Sequence, residues 1–241
     1  MRKNRKPKGC VSYFLSFLIS LALVTLVFFG GFLAAKGYQM FKVAEAEKPM
    51  DQLVSEMTAD DNYVNFDDLP KTYVKAVVSV EDKDFWEHRG LNLKSIGRAI
   101  VMDLKARSFV EGGSSITQQL MKNQYFSQDK ELSRKFADMF AAVEFEKKYS
   151  KEEIFANYAN TIYFGSGYYG IYDAAMGYYG KEPWQLSEYE CIMLAGIPNA
   201  PSAYSPDVNP DLAKERMEQV IEAMVEDGHL TEKEAEELKW Q

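Results

Sequence analysis

A run of 26 residues near the N-terminus, from Cys10 to Ala35, contains no charged side chain and is mostly apolar. Wound as an α-helix, it would be about 39 Å long, which is enough to cross the roughly 30 Å hydrocarbon core of a bilayer. A cleaved signal peptide normally has an apolar region of only about 7 to 15 residues, although Ala34-Ala35 does offer a cleavage site. We therefore predict one transmembrane helix over residues 10–35, with the rest of the chain folding beside a membrane.

The charges on the two sides of this run are opposite in sign. Residues 1–9 carry five lysines and arginines and no acidic residue, whereas 23 of the 28 basic and all 36 acidic residues follow the run, a net charge of −13. Basic residues next to a transmembrane segment favour the cytoplasmic side, so we predict a cytoplasmic tail at residues 1–9 and a folded domain on the outer face of the cell membrane. Nucleic acid is disfavoured as a partner because the domains that bind it are typically basic.

Cysteine and histidine are both scarce. Cys10 and Cys191 lie far apart in different surroundings, so neither a disulfide framework nor a CxxC metal site is indicated. With only His88 and His229 in the chain, a histidine-rich zinc site is disfavoured.

The chain after the apolar run is predicted to be mostly helical. Residues 36–70 are polar and mixed, and we interpret them as a stalk or linker; from there to residue 241 the apolar residues recur at helical spacing. Capping boxes at Ser150–Glu153, Ser187–Glu190 and Thr231–Glu234 each predict the start of a helix. We therefore predict a single mostly α domain over residues 71–241.

The stretch Glu81–Gly90 reads EDKDFWEHRG and directly follows a run rich in valine. It places four carboxylates and an imidazole against an apolar segment, which is where the pKa of a carboxyl group can be raised. On the residues alone, this stretch could also be the solvated, charged end of a helix.

A second polar stretch, Glu111–Asn123, reads EGGSSITQQLMKN. Its glycines and hydroxyls before a helix would leave backbone N–H groups free for an anion, and Gln118 and Gln119 add amides that donate and accept. A helix N-cap built from small polar residues explains the same pattern equally well.

A basic series follows, made of Lys122, Lys130, Arg134 and Lys135, which is unusual in an acidic domain. On a helix, Arg134 and Asp138 share a face at a spacing of four residues, and the simplest interpretation of that pair is a surface salt bridge. Residues 165–170 match the dinucleotide pattern GxGxxG, but the pattern follows a helix and no βαβ unit surrounds it, so we predict a tight loop there.

Taken together, five ordered stretches resemble the successive motifs of the peptidoglycan glycosyltransferases. They are EDKDFWEHRG, GGSSITQQLMKN, RKFAD, EEIFANYANTIYFGSGYYGI and LAGIPNAPSAYSP, and the resemblance covers about Tyr73 to Pro206. It implies a lysozyme-like, mostly α-helical fold that polymerises lipid II into glycan strands with inversion and release of a polyprenyl pyrophosphate. Since the chain ends at Gln241, we expect a monofunctional enzyme or a truncated bifunctional one.

The resemblance also implies roles for individual residues. Glu81 matches the general base and Asp138 the second acidic residue of the site. The positions expected to bind substrate are Arg98, Gly113, Ser114, Ser115, Thr117, Gln118, Gln119, Lys122, Lys130, Arg134 and Lys135. Among these, Lys122, Arg134 and Lys135 match the positions that contact phosphate, with Lys130 and Arg98 as weaker candidates.

The expected cofactor is Mg²⁺ or Mn²⁺, held with the help of Glu81 or Asp138, although no dedicated metal site is visible in the sequence. No organic cofactor is expected. The expected partners are lipid II, the growing glycan strand, the bilayer and proteins of cell-wall synthesis or division.

Asp138 departs from the family pattern, which usually has glutamate at this place. Aspartate keeps the charge but is one methylene shorter, and a misplacement of about 1 Å can cost about 100-fold in rate. Ser115 and Ala159 are milder departures, where the family usually has threonine and leucine. Two other functions therefore stay open, a lysozyme-type enzyme that cleaves glycan and a non-catalytic scaffold of the cell-wall machinery.

Overall fold

A computed structural model describes residues 9–106, 113–126 and 132–239 of the chain. Within these ranges the regular structure is helical and contains no β-strand, which confirms the predicted mostly α class. The helices are α1 (Gly9–Glu47), α2 (Met50–Thr58), α3 (Lys71–Glu81), α4 (Leu93–Ala106), α5 (Ile116–Tyr125), α6 (Leu132–Lys148), α7 (Lys151–Thr161), α8 (Ile171–Tyr179), α9 (Glu188–Gly196), α10 (Pro201–Tyr204), α11 (Pro210–Glu226) and α12 (Glu232–Lys239). Short 3₁₀ turns lie at Phe66–Asp68, Pro183–Gln185 and Ile197–Asn199.

Helix α1 contains the predicted transmembrane segment and continues beyond it. From Tyr13 to Glu47 it is long and apolar enough, by length and composition, to cross a membrane. Its large apolar side chains between Tyr13 and Phe32 are exposed, so this part of α1 has an apolar surface that the rest of the described chain does not cover.

The second half of α1 is packed against the domain. At Gly37 the helix comes so close to α6 that an added Cβ would lie 2.5 Å from the Cβ of Phe136. One residue on, the Tyr38 ring meets the edge of Phe140 at 5.3 Å, and Phe41 is fully buried. Residues 36–70, predicted as a stalk or linker, therefore contribute to the core, because their scattered apolar residues find partners far along the chain.

Helices α3, α9 and α11 pack on one another, and α5, α6 and α7 pack beside them. Buried aromatic rings fill the interior, among them Tyr73, Phe145, Phe155 and Phe164. This arrangement brings the C-terminal end of α3 next to the first turns of α5 and to the middle of α11.

Local signals in the sequence were reliable for the helix starts. The Ser150 and Ser187 hydroxyls each accept from the backbone N–H three residues on, and the glutamate at that position caps the serine in return. Thr231 does the same with Glu234. In the loop after α7, Gly165 and Gly170 have φ angles of 83° and 81°, which agrees with the tight loop predicted for residues 165–170.

Candidate active site

Glu81 is the last residue of α3, and its side chain is 8% exposed. The two carboxylate oxygens have different partners. Gln119 Nε2, on α5, donates to Oε2 at 2.7 Å, and Arg216 Nη2, on α11, lies 3.4 Å from Oε1. The carboxylate is therefore held between three helices that are distant in sequence.

A polar cavity of about 580 Å³ opens beside this carboxylate. Besides Glu81, its wall includes Arg98 on α4, Tyr204 on α10, and Arg216 and Gln219 on α11. The cavity gives a polar ligand access to a carboxylate that is otherwise enclosed by protein.

Burial raises the pKa of the Glu81 carboxyl above its usual value. The hydrogen bond from Gln119 and the positive charge of Arg216 act against burial, whereas the negative charge of Asp82 adds to it. A carboxylate with a raised pKa accepts a proton more readily than an ordinary one, and this carboxylate lies where a ligand in the cavity can reach it.

Asp82, the next residue, is buried and serves as a structural anchor. Its Oδ2 lies 2.8 Å from His88 Nε2 and accepts from the backbone N–H of Ile116 at 3.1 Å. Its Oδ1 accepts from Asn92 Nδ2 at 3.0 Å. These bonds tie the loop after Glu81 to the first turn of α5, which is the helix that carries Gln119.

A second buried group extends this anchor towards α6 and α7. The Lys151 ammonium lies 2.7 Å from Glu146 Oε1, 3.5 Å from His88 Nδ1 and 4.3 Å from the centre of the Phe85 ring. Thr117 donates its hydroxyl to the same oxygen of Glu146. Sequence reasoning missed Glu146 and Lys151; the spacing of Glu146 from the buried Ala142 and Phe145 was the signal that placed it on an inward face.

Asp138 on α6 is buried, with a side-chain exposure of 2%. Arg134 Nη1 lies 3.5 Å from Oδ2, and Oδ1 has no hydrogen-bond partner among the described residues. The interpretation of this pair as a surface salt bridge is therefore wrong, because helical spacing alone does not tell how deep a pair lies. Burial raises the pKa of Asp138 to about 6, against the positive charges of Arg134, Lys135 and Lys122.

The three predicted phosphate-contacting cations, Lys122, Arg134 and Lys135, all act electrostatically on Asp138, and phosphate binding by them stays a prediction. Lys135 Nζ donates to the Ser114 hydroxyl, which lies just before α5, and the side chain of Lys122 is exposed. Arg98 lies on the wall of the Glu81 cavity. Lys130 lies outside the described residues.

The remaining predicted substrate-binding positions have internal roles. Ser115 is the N-cap of α5 and donates its hydroxyl to the Gly90 carbonyl at 2.6 Å, while Gln118 completes the capping box. Both side chains are fully buried, as is that of Thr117. At Gly113 an added Cβ would lie 3.3 Å from the Cβ of Ala99, so this glycine permits close packing on α4. Substrate binding by these residues stays a prediction.

The described residues contain no group of three or more His, Cys, Asp or Glu side chains that could hold a metal ion. Glu81 is already bonded to an amide and a guanidinium, and Asp138 is surrounded by cations. These residues do not fit a resident metal site.

Comparisons with known proteins agree with the geometry. The sequence model of the family described as transglycosylase matches residues 47–225, which is most of the chain.

The chain belongs to the transglycosylase family.

Similar proteins with a longer chain support the same membership. The chain is 37% identical to penicillin-binding protein 1F of Bacillus subtilis strain 168 over 222 residues, which is 91% of this chain and 31% of that protein. It is 43% identical to penicillin-binding protein 2D of the same strain, over 73% of this chain and 26% of that protein. Penicillin-binding protein 1A of Aquifex aeolicus strain VF5 is 39% identical, over 73% of this chain and 24% of that protein. The chain thus spans from about a quarter to just under a third of the length of these relatives.

The region that matches the transglycosylase family contains every element of the site, from the last residue of α1 to α11. It includes Arg216, which lies beyond the five stretches that carried the resemblance and which sequence reasoning missed. A signal was present, since Ala213, Met217 and Val220 are buried on α11 and the spacing of Arg216 directs it to the same side.

Proposed function

We propose that this chain polymerises lipid II into peptidoglycan glycan strands, with Glu81 as the general base. The observation that supports this most directly is the Glu81 carboxylate, buried at the edge of a polar cavity and bonded on both oxygens. Membership of the transglycosylase family supports the same reaction class.

In the proposed reaction, the 4-hydroxyl oxygen of the acceptor sugar attacks the anomeric carbon of the donor. A new C–O glycosidic bond forms as the bond between that carbon and the pyrophosphate oxygen breaks, and the bonding electrons leave with the polyprenyl pyrophosphate. Glu81 takes the proton of the attacking hydroxyl. Attack opposite to the leaving group inverts the anomeric configuration from α to β.

The leaving pyrophosphate needs positive charge, which Lys122, Arg134 and Lys135 would supply. Asp138 lies among these cations and keeps Arg134 near. Asp138 would thus assist by ordering the cations around the leaving group; its buried Oδ1 has no hydrogen-bond partner among the described residues.

Helix α1 would anchor the domain at the outer face of the cell membrane, with residues 1–9 in the cytoplasm. Its exposed apolar segment and the basic residues before it support this orientation. Both substrates carry a lipid, so a tethered domain would meet them within the plane of the bilayer. A divalent cation that binds mainly through the pyrophosphate oxygens, and protein partners in cell-wall synthesis, stay predictions.

The test is polymerisation of labelled lipid II by the purified full chain in detergent or in vesicles. Glu81→Gln keeps the shape of the side chain but removes the base, so we expect a loss of about 1,000-fold in rate. Glu87→Gln is the matched control, because Glu87 is an exposed carboxylate of the same stretch, and its rate should be unchanged.

Two results would contradict the proposal. Cleavage of preformed glycan by the wild-type chain, without polymer formation, would favour a lysozyme-type enzyme. No turnover with any divalent cation or detergent would favour a scaffold.

A further inference from the structure

Arg216 reaches Glu81 from α11, 135 residues further along the chain. We propose that Arg216 is a positioning residue that keeps the Glu81 carboxylate charged and in one orientation, so that helix α11 is part of the catalytic machinery. This inference rests on the proposed function, because it assigns a role to Arg216 through the proposed base.

The guanidinium of Arg216 is itself held in place. Its Nε donates to the Gly196 carbonyl at 3.4 Å, and its Nη1 donates to Gln219 Oε1 at 2.9 Å. The guanidinium carbon lies 5.9 Å from the centre of the Tyr204 ring. Since the side chain is only 12% exposed, these contacts leave Nη2 directed at Glu81.

Gly196 is part of this arrangement. An added Cβ at Gly196 would lie 3.0 Å from Arg216 Cγ, so the absence of a side chain on α9 makes room for the arginine stem. An arginine exposed on the surface would not need this space. A guanidinium that is already held by several contacts loses little conformational freedom when it pairs with a carboxylate.

Several titratable groups face Glu81 from the elements around it. Asp82 follows it in the chain, the buried hydroxyls of Tyr73 and Tyr158 approach from α3 and α7, and Arg216 approaches from α11. Both tyrosines have a raised pKa because of burial and are neutral. The other charged groups on the cavity wall are Lys83, Arg98, Glu226 and Asp227.

Within this set, burial and Asp82 favour the protonated form of Glu81, and Arg216 opposes them together with Gln119. Gln119 can bond to either form of the carboxyl group, because an amide both donates and accepts. The positive charge of Arg216 favours the charged form alone. Loss of that charge should therefore leave Glu81 protonated at a pH where the wild-type base is ready to act.

The experiment measures kcat and KM for labelled lipid II across pH with the full chain. Arg216→Met keeps most of the stem and removes the charge; we expect kcat to fall about tenfold at pH 7, with the acid limb of the profile moved to higher pH. The deficit should narrow as the pH rises, while KM changes by less than about threefold. Arg216→Lys keeps the charge, so its acid limb should stay near that of the wild type.

Lys214→Met is the matched control, since it removes an exposed positive charge from the same helix and should leave the profile unchanged. The inference is overturned if Arg216→Met lowers kcat equally at every pH with the acid limb in place. It is also overturned if Arg216→Met raises KM at constant kcat, because Arg216 would then bind substrate. If Arg216→Met does not fold, the pH profile of Arg216→Lys is compared with that of an uncharged variant such as Arg216→Gln. An acid limb that moves to higher pH by the same amount in both variants would contradict the inference.

A double-mutant cycle on thermal unfolding separates this inference from the proposed function. Arg216→Met should lower the unfolding temperature in the wild-type background at pH 8, and by clearly less in a Glu81→Gln background. This coupling should weaken at pH 4, where the carboxyl group is protonated. If the two substitutions are coupled but the chain does not polymerise lipid II, the pairing of Arg216 with Glu81 stands and the proposed function fails. If they are not coupled at either pH, the inference is overturned even when the enzyme is active.

Discussion

Glu81 and Asp138 are both buried carboxyl groups close to cations, but the protein holds them in different ways. Both oxygens of Glu81 have partners on other helices, Gln119 at 2.7 Å and Arg216 at 3.4 Å. Asp138 pairs at 3.5 Å with Arg134, which precedes it by one turn of the same helix, and its Oδ1 has no partner among the described residues.

This difference separates a group that is already in position from one that is not. A carboxylate held from other helices moves only if those helices move, so Glu81 is fixed relative to the cavity before any ligand binds. A partner four residues earlier on the same helix fixes a side chain only relative to that helix. Asp138 thus retains hydrogen-bonding capacity that Glu81 has already used.

Between the two carboxyl groups, the largest effect of changing the side-chain length is predicted for Glu81. Glu81→Asp keeps the charge but withdraws the carboxylate by one methylene from Gln119 and Arg216. A reacting group misplaced by about 1 Å can cost about 100-fold, and we expect a loss of that size in kcat for lipid II polymerisation. Glu87→Asp makes the same change at an exposed position and should be neutral. Retention of more than a third of the wild-type rate by Glu81→Asp would show that the Glu81 position is not fixed in the way described.

Lengthening the side chain at Asp138, in contrast, should raise the rate of polymerisation. Asp138→Glu lengthens the side chain by one methylene. The 3.5 Å contact with Arg134 is long and Oδ1 has no hydrogen-bond partner among the described residues, so a longer side chain should reach its partners better. We expect kcat to rise about fivefold, because a longer arm completes the ordering of the cations. Asp211→Glu, on the exposed face of α11, is the control. A fall in rate would mean that the buried pocket around Asp138 is built for the shorter side chain.

The same contrast explains what sequence could predict of the fold. Helix starts at Ser150 and Ser187 depend on residues three positions apart, so the pattern was sufficient. The burial of Phe41 and the close approach at Gly37 depend on α6, about a hundred residues later, and the polar surroundings of these residues resembled a linker. Spacing along the chain defines a face, whereas only packing defines what covers it.

The candidate site follows the same rule. Glu81 and Gln119 lie in motif stretches and could be proposed from their residue types. Arg216 and Glu146 contact residues 135 and 29 positions away; their helical spacing places them on inward faces, but no local pattern identifies the residues they contact. For Asp138, the helical spacing indicated the partner correctly but not the burial that raises its pKa to about 6.

The smallest predicted effect is on stability, and it distinguishes the two carboxyl groups without any substrate. The pKa of Asp138 is raised to about 6 in the folded chain, against about 3.9 in an unfolded one. The folded state therefore binds this proton more tightly, and the stabilisation is fully present below pH 3.9 and lost as the pH rises through 6. Above pH 6 the folded protein carries a buried charge that an amide would not have.

Asp138→Asn should therefore be more stable than the wild type at pH 8 but not at pH 4. The stability gained by removing the buried charge is offset in part, because Arg134 and Lys135 lose a negative neighbour. We expect a net gain of about 1 kcal/mol at pH 8, or roughly 2–4 °C in the thermal unfolding midpoint of the full chain in detergent. Glu81→Gln should give no such gain, because it leaves the enclosed Arg216 without its counter-charge. Equal gains from both variants at pH 8 would show that the two carboxyl groups are held alike.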